Sequence, residues 1–304
     1  MISAPKFLPD SPAFSHDKVE GDGARLHVVS GGEGPPLVLI HGFLSTWLLW
    51  RHIMPELAER HWVIVPDLRG FGDSDRPSRG YDKTTLARDV LAVLDTMGVT
   101  EFDVLAHDFG CQIGYRMATL ARERVRSMVV IEGLLPGIET SAFPDPTRFW
   151  FYTFNQVPDL PELFSQGKER LYLEHFYRDF LYDRSVLPPE EMDEYVRTYG
   201  SPGGLRCGFE LYRTGGEDLA AFKPEYERKL DMPVLAMGGD HSFGDRCFEA
   251  FSKVASNVAG EVVERCGHYA PMERPAQVLA SVGRFLESGA SSEARPATAP
   301  GSRS

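Results

Sequence analysis

The chain is short of several things that would otherwise fix its setting. Its 304 residues hold only four cysteines, Cys111, Cys207, Cys247 and Cys266, widely separated, with no C-x-x-C pair and no histidine at metal-ligand spacing. That argues against a disulfide framework and a zinc site, and it suits a reducing cytoplasm best. No run approaches eighteen apolar residues, and Met1 to Phe14 lacks a basic stretch followed by an apolar core. Neither a membrane span nor an export signal is expected. Positive charge is in deficit too: 32 Lys and Arg stand against 44 Asp and Glu, a formal net charge of −12. Phosphate backbones and anionic membrane surfaces would be repelled, so neither nucleic acid nor membrane is expected as a partner.

Composition is otherwise ordinary for a globular chain, with 42% hydrophobic and 25% charged residues, so a sizeable core is available. The length allows two domains, or one large α/β domain carrying an insertion. Residues 1–13 read as a loose arm. His16–Glu20 and Ala24–Val29 alternate like hairpin strands turned at Gly21–Gly23. The apolar run Pro36–Ile40 is what a strand covered on both faces requires, and it ends in His41-Gly42-Phe43. A helix is expected over Trp47–Arg60, a buried strand at Trp62–Val65, a glycine-rich loop over Asp67–Asp75 and an amphipathic helix over Lys83–Met97. Val125–Ile131 is a further strand and delivers Glu132. From Leu134 to Leu230 strand signals vanish and aromatics at helical spacing take over, as in Phe149–Tyr152, Leu171–Phe176 and Tyr195–Tyr199. The strand and helix alternation resumes with Met232–Met237, a helix over Asp245–Val254, a strand over Gly260–Arg265 and a closing helix over Pro275–Glu287. The fold class is therefore α/β, a mostly parallel sheet flanked by helices. Its core spans 14–133 and 231–287, a helical cap of 134–230 is inserted, and a tail over 288–304 is expected to be disordered. In such sheets functional loops gather at the carboxyl ends of the strands, so His41, Asp67, Asp108 and Glu132 are expected to converge.

One stretch organises the rest. An apolar run, Phe102–Leu105, meets Ala106-His107-Asp108-Phe109-Gly110 and then a helix-like segment over Cys111–Arg122, giving the form small-x-nucleophile-x-Gly with Asp at the centre. A sharp strand-to-helix turn needs small neighbours because the backbone at its tip is strained and the helix start comes close to the strand. Asp108 would stand at a helix N-terminus, where N–H groups and the helix dipole keep a carboxylate ionised and aimed outward. Such a carboxylate attacks carbon and forms an ester. The plainer alternative is an ordinary helix N-cap.

Taken in order, His41-Gly42-Phe43, Asp67-Leu-Arg-Gly-Phe-Gly-Asp-Ser-Asp75, His107-Asp108-Phe109-Gly110 and Gly267-His268 resemble the motifs of the α/β-hydrolase superfamily, specifically its epoxide hydrolase and dehalogenase branch, over roughly residues 20 to 287. The resemblance implies that Asp108 is the nucleophile and that His268, in Cys-Gly-His ahead of Glu273-Arg-Pro, is the general base that activates water against the ester. It implies backbone donors for the developing oxyanion at Phe43 and Phe109, beside His41. Two carboxylates compete to orient the base: Glu132, after the strand that follows the elbow, and Asp240, in Gly238-Gly-Asp-His-Ser-Phe-Gly244. Glu132 is favoured because Val-Val-Ile-Glu-Gly-Leu-Leu-Pro looks most like a bacterial epoxide hydrolase subgroup. Asp240 could instead cap a helix or bond within its own loop.

The cap decides what the ester is made from. Opening an epoxide leaves an alkoxide that needs a proton donor, whereas expelling halide needs N–H donors, typically tryptophan. Gly208-Phe-Glu-Leu-Tyr212-Arg resembles the segment carrying an epoxide-activating tyrosine, so Tyr212 is the candidate acid. Its helper falls in Phe149-Trp150-Phe151-Tyr152, Trp150 by register with Tyr152 in reserve. Phe109 and Gln112 stand where haloacetate dehalogenases carry carboxylate-binding arginines, and Phe109 also replaces the tryptophan usual in haloalkane dehalogenases. The expected substrates are a neutral, apolar or aromatic epoxide and water, with Phe43, Phe109, Trp150, Tyr152 and His41 about the pocket. No metal or organic cofactor is implied, and a homodimer is allowed but not required. The rival readings are a dehalogenase with the same triad and a ligand-binding protein whose catalysis has lapsed.

Overall fold

The computed structural model describes residues 7, 13–143 and 145–289. The strands are β1 (Phe14–Glu20), β2 (Arg25–Gly31), β3 (Pro36–Ile40), β4 (Trp62–Pro66), β5 (Phe102–His107), β6 (Val125–Ile131), β7 (Val234–Gly239) and β8 (Val258–Val263). They form one sheet in the order β1-β2-β4-β3-β5-β6-β7-β8. β1 and β2 make the expected antiparallel hairpin, and β2 joins β4 antiparallel. Every pairing from β4 to β8 is parallel, so the carboxyl ends of these strands share one edge. The apolar content of the central strands follows from that position. All six residues of β5 are buried, whereas the edge strand β1 keeps much of its surface in water.

The helices are α1 (Met54–Leu57), α2 (Lys83–Thr96), α3 (Phe109–Leu120), α4 (Trp150–Gln156), α5 (Leu160–Ser165), α6 (Glu169–Phe180), α7 (Pro189–Tyr199), α8 (Gly204–Arg213), α9 (Gly215–Phe222), α10 (Arg246–Val254), α11 (Ala270–Glu273) and α12 (Pro275–Gly289). α3 packs on β3, β5 and β6, and α10 on β7 and β8. α2 starts at Asp82, whose carboxylate accepts the Thr85 N–H at 2.9 Å and so satisfies one of the free amides of the first turn. The single helix expected over Trp47–Arg60 is a correction. The chain there makes a 3₁₀ turn, Trp47–Trp50, and then the one-turn α1, because Pro55 restricts the residue before it and suits only a helix start. β5 also runs on to His107, and α3 starts at Phe109, two residues ahead of the expected helix.

Between β6 and β7 the described chain is helical, from a 3₁₀ turn at Pro146–Phe149 through α4 to α9, with another 3₁₀ turn at Arg184–Val186, to a third at Lys223–Glu227. This insertion is tied to the loop after β3 by two buried phenols. Tyr177 Oη donates to the Leu44 carbonyl at 2.6 Å and Tyr199 Oη to the Ser45 carbonyl at 2.8 Å. Among the described residues no helix is long and apolar enough to cross a membrane. The expected arm lies outside the described residues except for Phe7 and Ala13, and the expected tail does so from residue 290 onward.

The turn from β5 into α3 has no slack. A Cβ at Gly110 would lie 2.2 Å from the Ile40 carbonyl oxygen and 2.7 Å from that of His41, both backbone atoms of a central strand end. Gly110→Ala should therefore cost about 3 kcal/mol or more in urea-induced unfolding, at the upper end of overpacking effects. Gly283→Ala on α12, where an added Cβ meets nothing within 4 Å, should be neutral or stabilising by up to about 1 kcal/mol.

Candidate active site

The parallel register brings successive strand ends to one place. Asp108 N–H donates to the Ile131 carbonyl of β6 at 3.1 Å, Glu132 N–H to Met237 of β7 at 2.9 Å, and Asp240 N–H to Val263 of β8 at 3.0 Å. Each acidic residue is thus held by the strand beyond it. Asp108 sits at φ 55°, ψ −126° and Glu132 at φ 56°, conformations that side chains other than glycine rarely adopt. The strain turns both carboxylates back over the sheet edge.

There they flank His268. The imidazole Nδ1 donates to Glu132 Oε2 at 2.9 Å, and Nε2 faces Asp108 Oδ2 at 3.4 Å. Phe43 N–H donates to the other Asp108 oxygen, Oδ1, at 2.8 Å, and Phe109 N–H acts on the same carboxylate. Gly42 makes this approach feasible, since a Cβ there would meet Asp108 Oδ1 at 2.3 Å. Burial pushes the Asp108 carboxyl up, but the bond and charge of His268, with smaller help from His107 and Phe109 N–H, hold it below the usual carboxylate range. Burial alone would push the His268 imidazole down. Its bonds to Asp108 and Glu132 and their charges win, raising it to about 9, so the ring is cationic at neutral pH.

Glu132 has no surface exposure and its lone pairs are filled. Gly239 N–H donates to Oε1 at 2.6 Å, Phe243 N–H to Oε1 at 3.2 Å, and the Ser242 hydroxyl to Oε2. Asp240, the competing carboxylate, is exposed and is spent elsewhere. It accepts the Arg265 and Cys266 N–H groups at 2.9 Å each and bonds His241 at 2.7 Å. It shapes the turn that leads into His268 and makes no bond to the ring. The loop is clamped from further sides. His268 N–H donates to the Phe180 carbonyl of α6 at 2.8 Å, and His107 Nε2 donates to the His268 carbonyl at 2.7 Å. The buried carboxylate of Glu273 collects the N–H groups of Tyr182, Asp183, Gly267 and Tyr269.

Asp108 and His268 open onto a cavity of about 480 Å³. Its floor includes Phe43, Phe109 and Gln112, and its roof comes from the insertion, with Phe149, Phe151, Phe176, Phe180, Tyr152 and Tyr212. The Tyr212 ring meets those of Phe43 and Phe109 edge-on, both at 4.9 Å, and that of Tyr152 at 5.6 Å. Burial, reinforced by the Asp108 charge, pushes the Tyr212 hydroxyl well above its ordinary value, so it stays a donor.

Three sequence expectations need correcting. Trp150 does not line the cavity: at the outer start of α4 it is 47% exposed and packs on Phe154 and His175. Two residues further along the helix, Tyr152 does line it, half-exposed at the mouth. His41 is not a pocket residue either. Its Nε2 accepts the Leu68 N–H at 3.1 Å and its Nδ1 donates to the Gly42 carbonyl at 2.9 Å, so both nitrogens serve the backbone. Asp67 stays away from the convergence because His27 Nδ1, Trp47 N–H and Asp73 N–H occupy its carboxylate.

Sequence reading missed Ser242, Phe180 and the pair Lys83 and Asp218, which also lines the cavity. Only Lys83 left a signal: a lysine opening a helix sits against the helix dipole and calls for a reason. Among the described residues no group of three or more His, Cys, Asp or Glu is placed to hold a metal ion.

Comparison with known proteins agrees with this architecture. The model of the alpha/beta hydrolase fold family matches residues 35–275. The soluble epoxide hydrolase of Corynebacterium sp. (strain C12) is 36% identical over 285 residues, covering 91% of this chain and 98% of that protein. Among solved structures, the epoxide hydrolase CorEH without ligand superposes with a TM-score of 0.85 at 34% identity, covering 90% of this chain and 99% of the other. Cfl2 from Burkholderia cenocepacia gives 0.84 at 35%, covering 90% and 95%.

The two carboxylates behind the imidazole make distinct predictions. Glu132→Gln removes the acceptor that faces Nδ1 and should slow release of an Asp108 ester by about 10²- to 10⁴-fold while sparing ester formation. Asp240→Asn, acting only through the turn, should slow release far less. Quenched-flow mass measurement of the alkylated protein separates the two, and the opposite ranking would move the orienting role to Asp240.

Proposed function

Because the chain belongs to the α/β-hydrolase fold family, we propose that it is an epoxide hydrolase that opens a neutral, apolar or aromatic epoxide to a vicinal diol through an ester on Asp108. The observation that carries this is the chemistry of the cavity roof: it offers two phenols, Tyr212 and Tyr152, and no tryptophan is among its lining residues. Phenols serve an oxygen leaving as alkoxide, whereas halide release calls for indole N–H donors. We also take residues 134–230 as the cap over a core of 14–133 and 231–287. The four cysteines are free and buried, in keeping with a cytoplasmic setting.

In the first step Asp108 Oδ2 attacks one epoxide carbon and the C–O bond to the ring oxygen breaks. Tyr212, with Tyr152, hydrogen-bonds that oxygen and relays a proton to it. Oδ1 becomes the ester carbonyl and keeps its contacts with Phe43 and Phe109 N–H. Ester formation removes the Asp108 charge that helps hold the His268 proton, so the imidazolium gives that proton up to the tyrosinate left when the phenol protonates the ring oxygen, and the neutral imidazole becomes a base. In the second step its Nε2 takes a proton from water as the oxygen adds to the ester carbon, and the two N–H groups hold the oxyanion on Oδ1. Collapse expels the diol oxygen with the His268 proton, and the proton of the regenerated carboxyl passes to the ring. The sum is epoxide plus water to diol, and the imidazolium between two carboxylates is restored. The aromatic roof favours neutral substrates, and among the described lining residues the cationic groups, Lys83 and His268, are already paired with carboxylates.

Loss of one phenol in Tyr212→Phe or Tyr152→Phe should slow alkylation of Asp108 by about 10- to 100-fold, and the double change should slow it much further. Single-turnover alkylation by a neutral aryl epoxide, followed by intact mass in an Asp108-competent protein, is the measurement; unchanged rates in all three variants would reduce the tyrosines to packing. Fresh Asp108→Asn should form no adduct.

The pH dependence has a defined sign. In the free protein the His268 proton is lost only as pH rises through about 9, where burial is outweighed by Asp108 and Glu132. In the ester the Asp108 charge is gone, so the midpoint for ester hydrolysis should lie about 1–3 units lower, with the rate rising with pH to a plateau. NMR titration of the ring in the free protein against the pH profile of single-turnover hydrolysis checks this. Coincident midpoints would mean that Asp108 does not control the base.

A further inference from the structure

At the end of the cavity behind Phe109 lies a buried ion pair that the steps above do not use. Lys83 opens α2 in the core and Asp218 belongs to α9 in the insertion; each side chain is only 1% exposed, and both line the cavity. The backbone N–H of Lys83 donates to Asp218 Oδ1 at 2.8 Å. Its ammonium donates to Asp218 Oδ2 at 2.6 Å, to Thr214 Oγ1 at 3.1 Å and to the Leu211 carbonyl, which uses all three protons. It also stands 4.6 Å over the ring of Phe109, the residue after Asp108.

A buried pair is weak evidence for stability, because desolvation offsets much of the attraction. What the ammonium holds is more informative. Leu211 lies in the last turn of α8, where carbonyls lack partners within the helix and the dipole favours a cation, and the next residue is Tyr212. The contrast is Arg51 with Glu191, also a buried ion pair between core and insertion, neither of which is among the cavity-lining residues.

We propose that Lys83 and Asp218 are positioning residues for ring opening: the ammonium fixes the last turn of α8 and so sets the Tyr212 hydroxyl over Asp108. This rests on the assignment of Tyr212 to the epoxide oxygen. The saturated ammonium offers the substrate no proton and acts through the tyrosine.

The test is pre-steady-state kinetics on the full chain with styrene oxide as probe, resolving alkylation of Asp108 from hydrolysis of the ester. Lys83→Met, and Lys83→Met with Asp218→Leu, which removes both charges and guards against a misfolded single variant, should slow alkylation about tenfold or more. Hydrolysis should stay within about twofold of the wild type, because the water and His268 do not depend on α8. In a Tyr212→Phe background the same changes should slow alkylation less than about twofold, since the group being positioned is absent. Arg51→Met should lower the thermal midpoint without separating the two half-reactions. Equal slowing of both halves by the Lys83 variants, or a full effect in the Tyr212→Phe background, would overturn the proposal, as would unchanged alkylation. A wild-type protein that no epoxide alkylates at Asp108 would overturn the epoxide hydrolase reading itself, before any variant is compared.

Discussion

A cationic imidazole shared by the buried Glu132 and the partly exposed Asp108 carboxylates sets the terms for the structure around it. Charges taken out of water are tolerable only when every lone pair and proton finds a partner. Here Glu132 takes two backbone amides and the Ser242 hydroxyl besides the ring, and Asp108 takes Phe43 N–H. Those donors come from the ends of β3 and β7, so the arrangement exists only if the parallel strands stay in register. The same register sustains two backbone conformations that each cost about 1–3 kcal/mol. Leu44 and Arg265 also lie at positive φ, beside Phe43 and ahead of His268, so four of the five such non-glycine residues described border this site. Strain is concentrated where the chain must change direction to face the cavity.

The insertion supplies what the sheet edge lacks. The core provides a carboxylate, a ring and two N–H groups, which suit ester formation and breakdown on many kinds of substrate. Phenols and phenylalanines from α4, α6 and α8 make this side of the cavity largely aromatic. The likeness to named epoxide hydrolases extends across nine-tenths of the chain, core and insertion alike.

Much of this was legible in the sequence because it rests on local signals. Pro36–Ile40, Val125–Ile131 and the elbow motif announce themselves by continuous apolar runs and glycines at forced turns. Ordered motifs at strand ends pointed to Asp108, Glu132 and His268 together, and the observed bonds bring those three side chains into contact. What could not be read was anything decided by rotation about a helix axis or by contacts distant in sequence. Trp150 and Tyr152 lie two residues apart, and only the start of α4 determines which one faces inward. Pro55 divides a stretch whose apolar spacing looks like one helix. Asp240 appeared eligible as a partner for the ring because sequence shows its place after β7 but not the two amides across the loop that occupy it.

The Phe180 carbonyl and the Glu273 carboxylate give the molecule a mechanical property. The amides of Tyr182 and Asp183, just past the end of α6, share one carboxylate with those of Gly267 and Tyr269 on either side of His268, whose own amide bonds to Phe180. The end of α6 and the imidazole-bearing loop are therefore coupled through one carboxylate and one carbonyl. Any breathing that lifts this part of the roof to admit or discharge a molecule has to carry the ring with it or break several buried bonds. Tyr152, half-exposed on α4 at the edge of the same cavity, takes no part in these bonds.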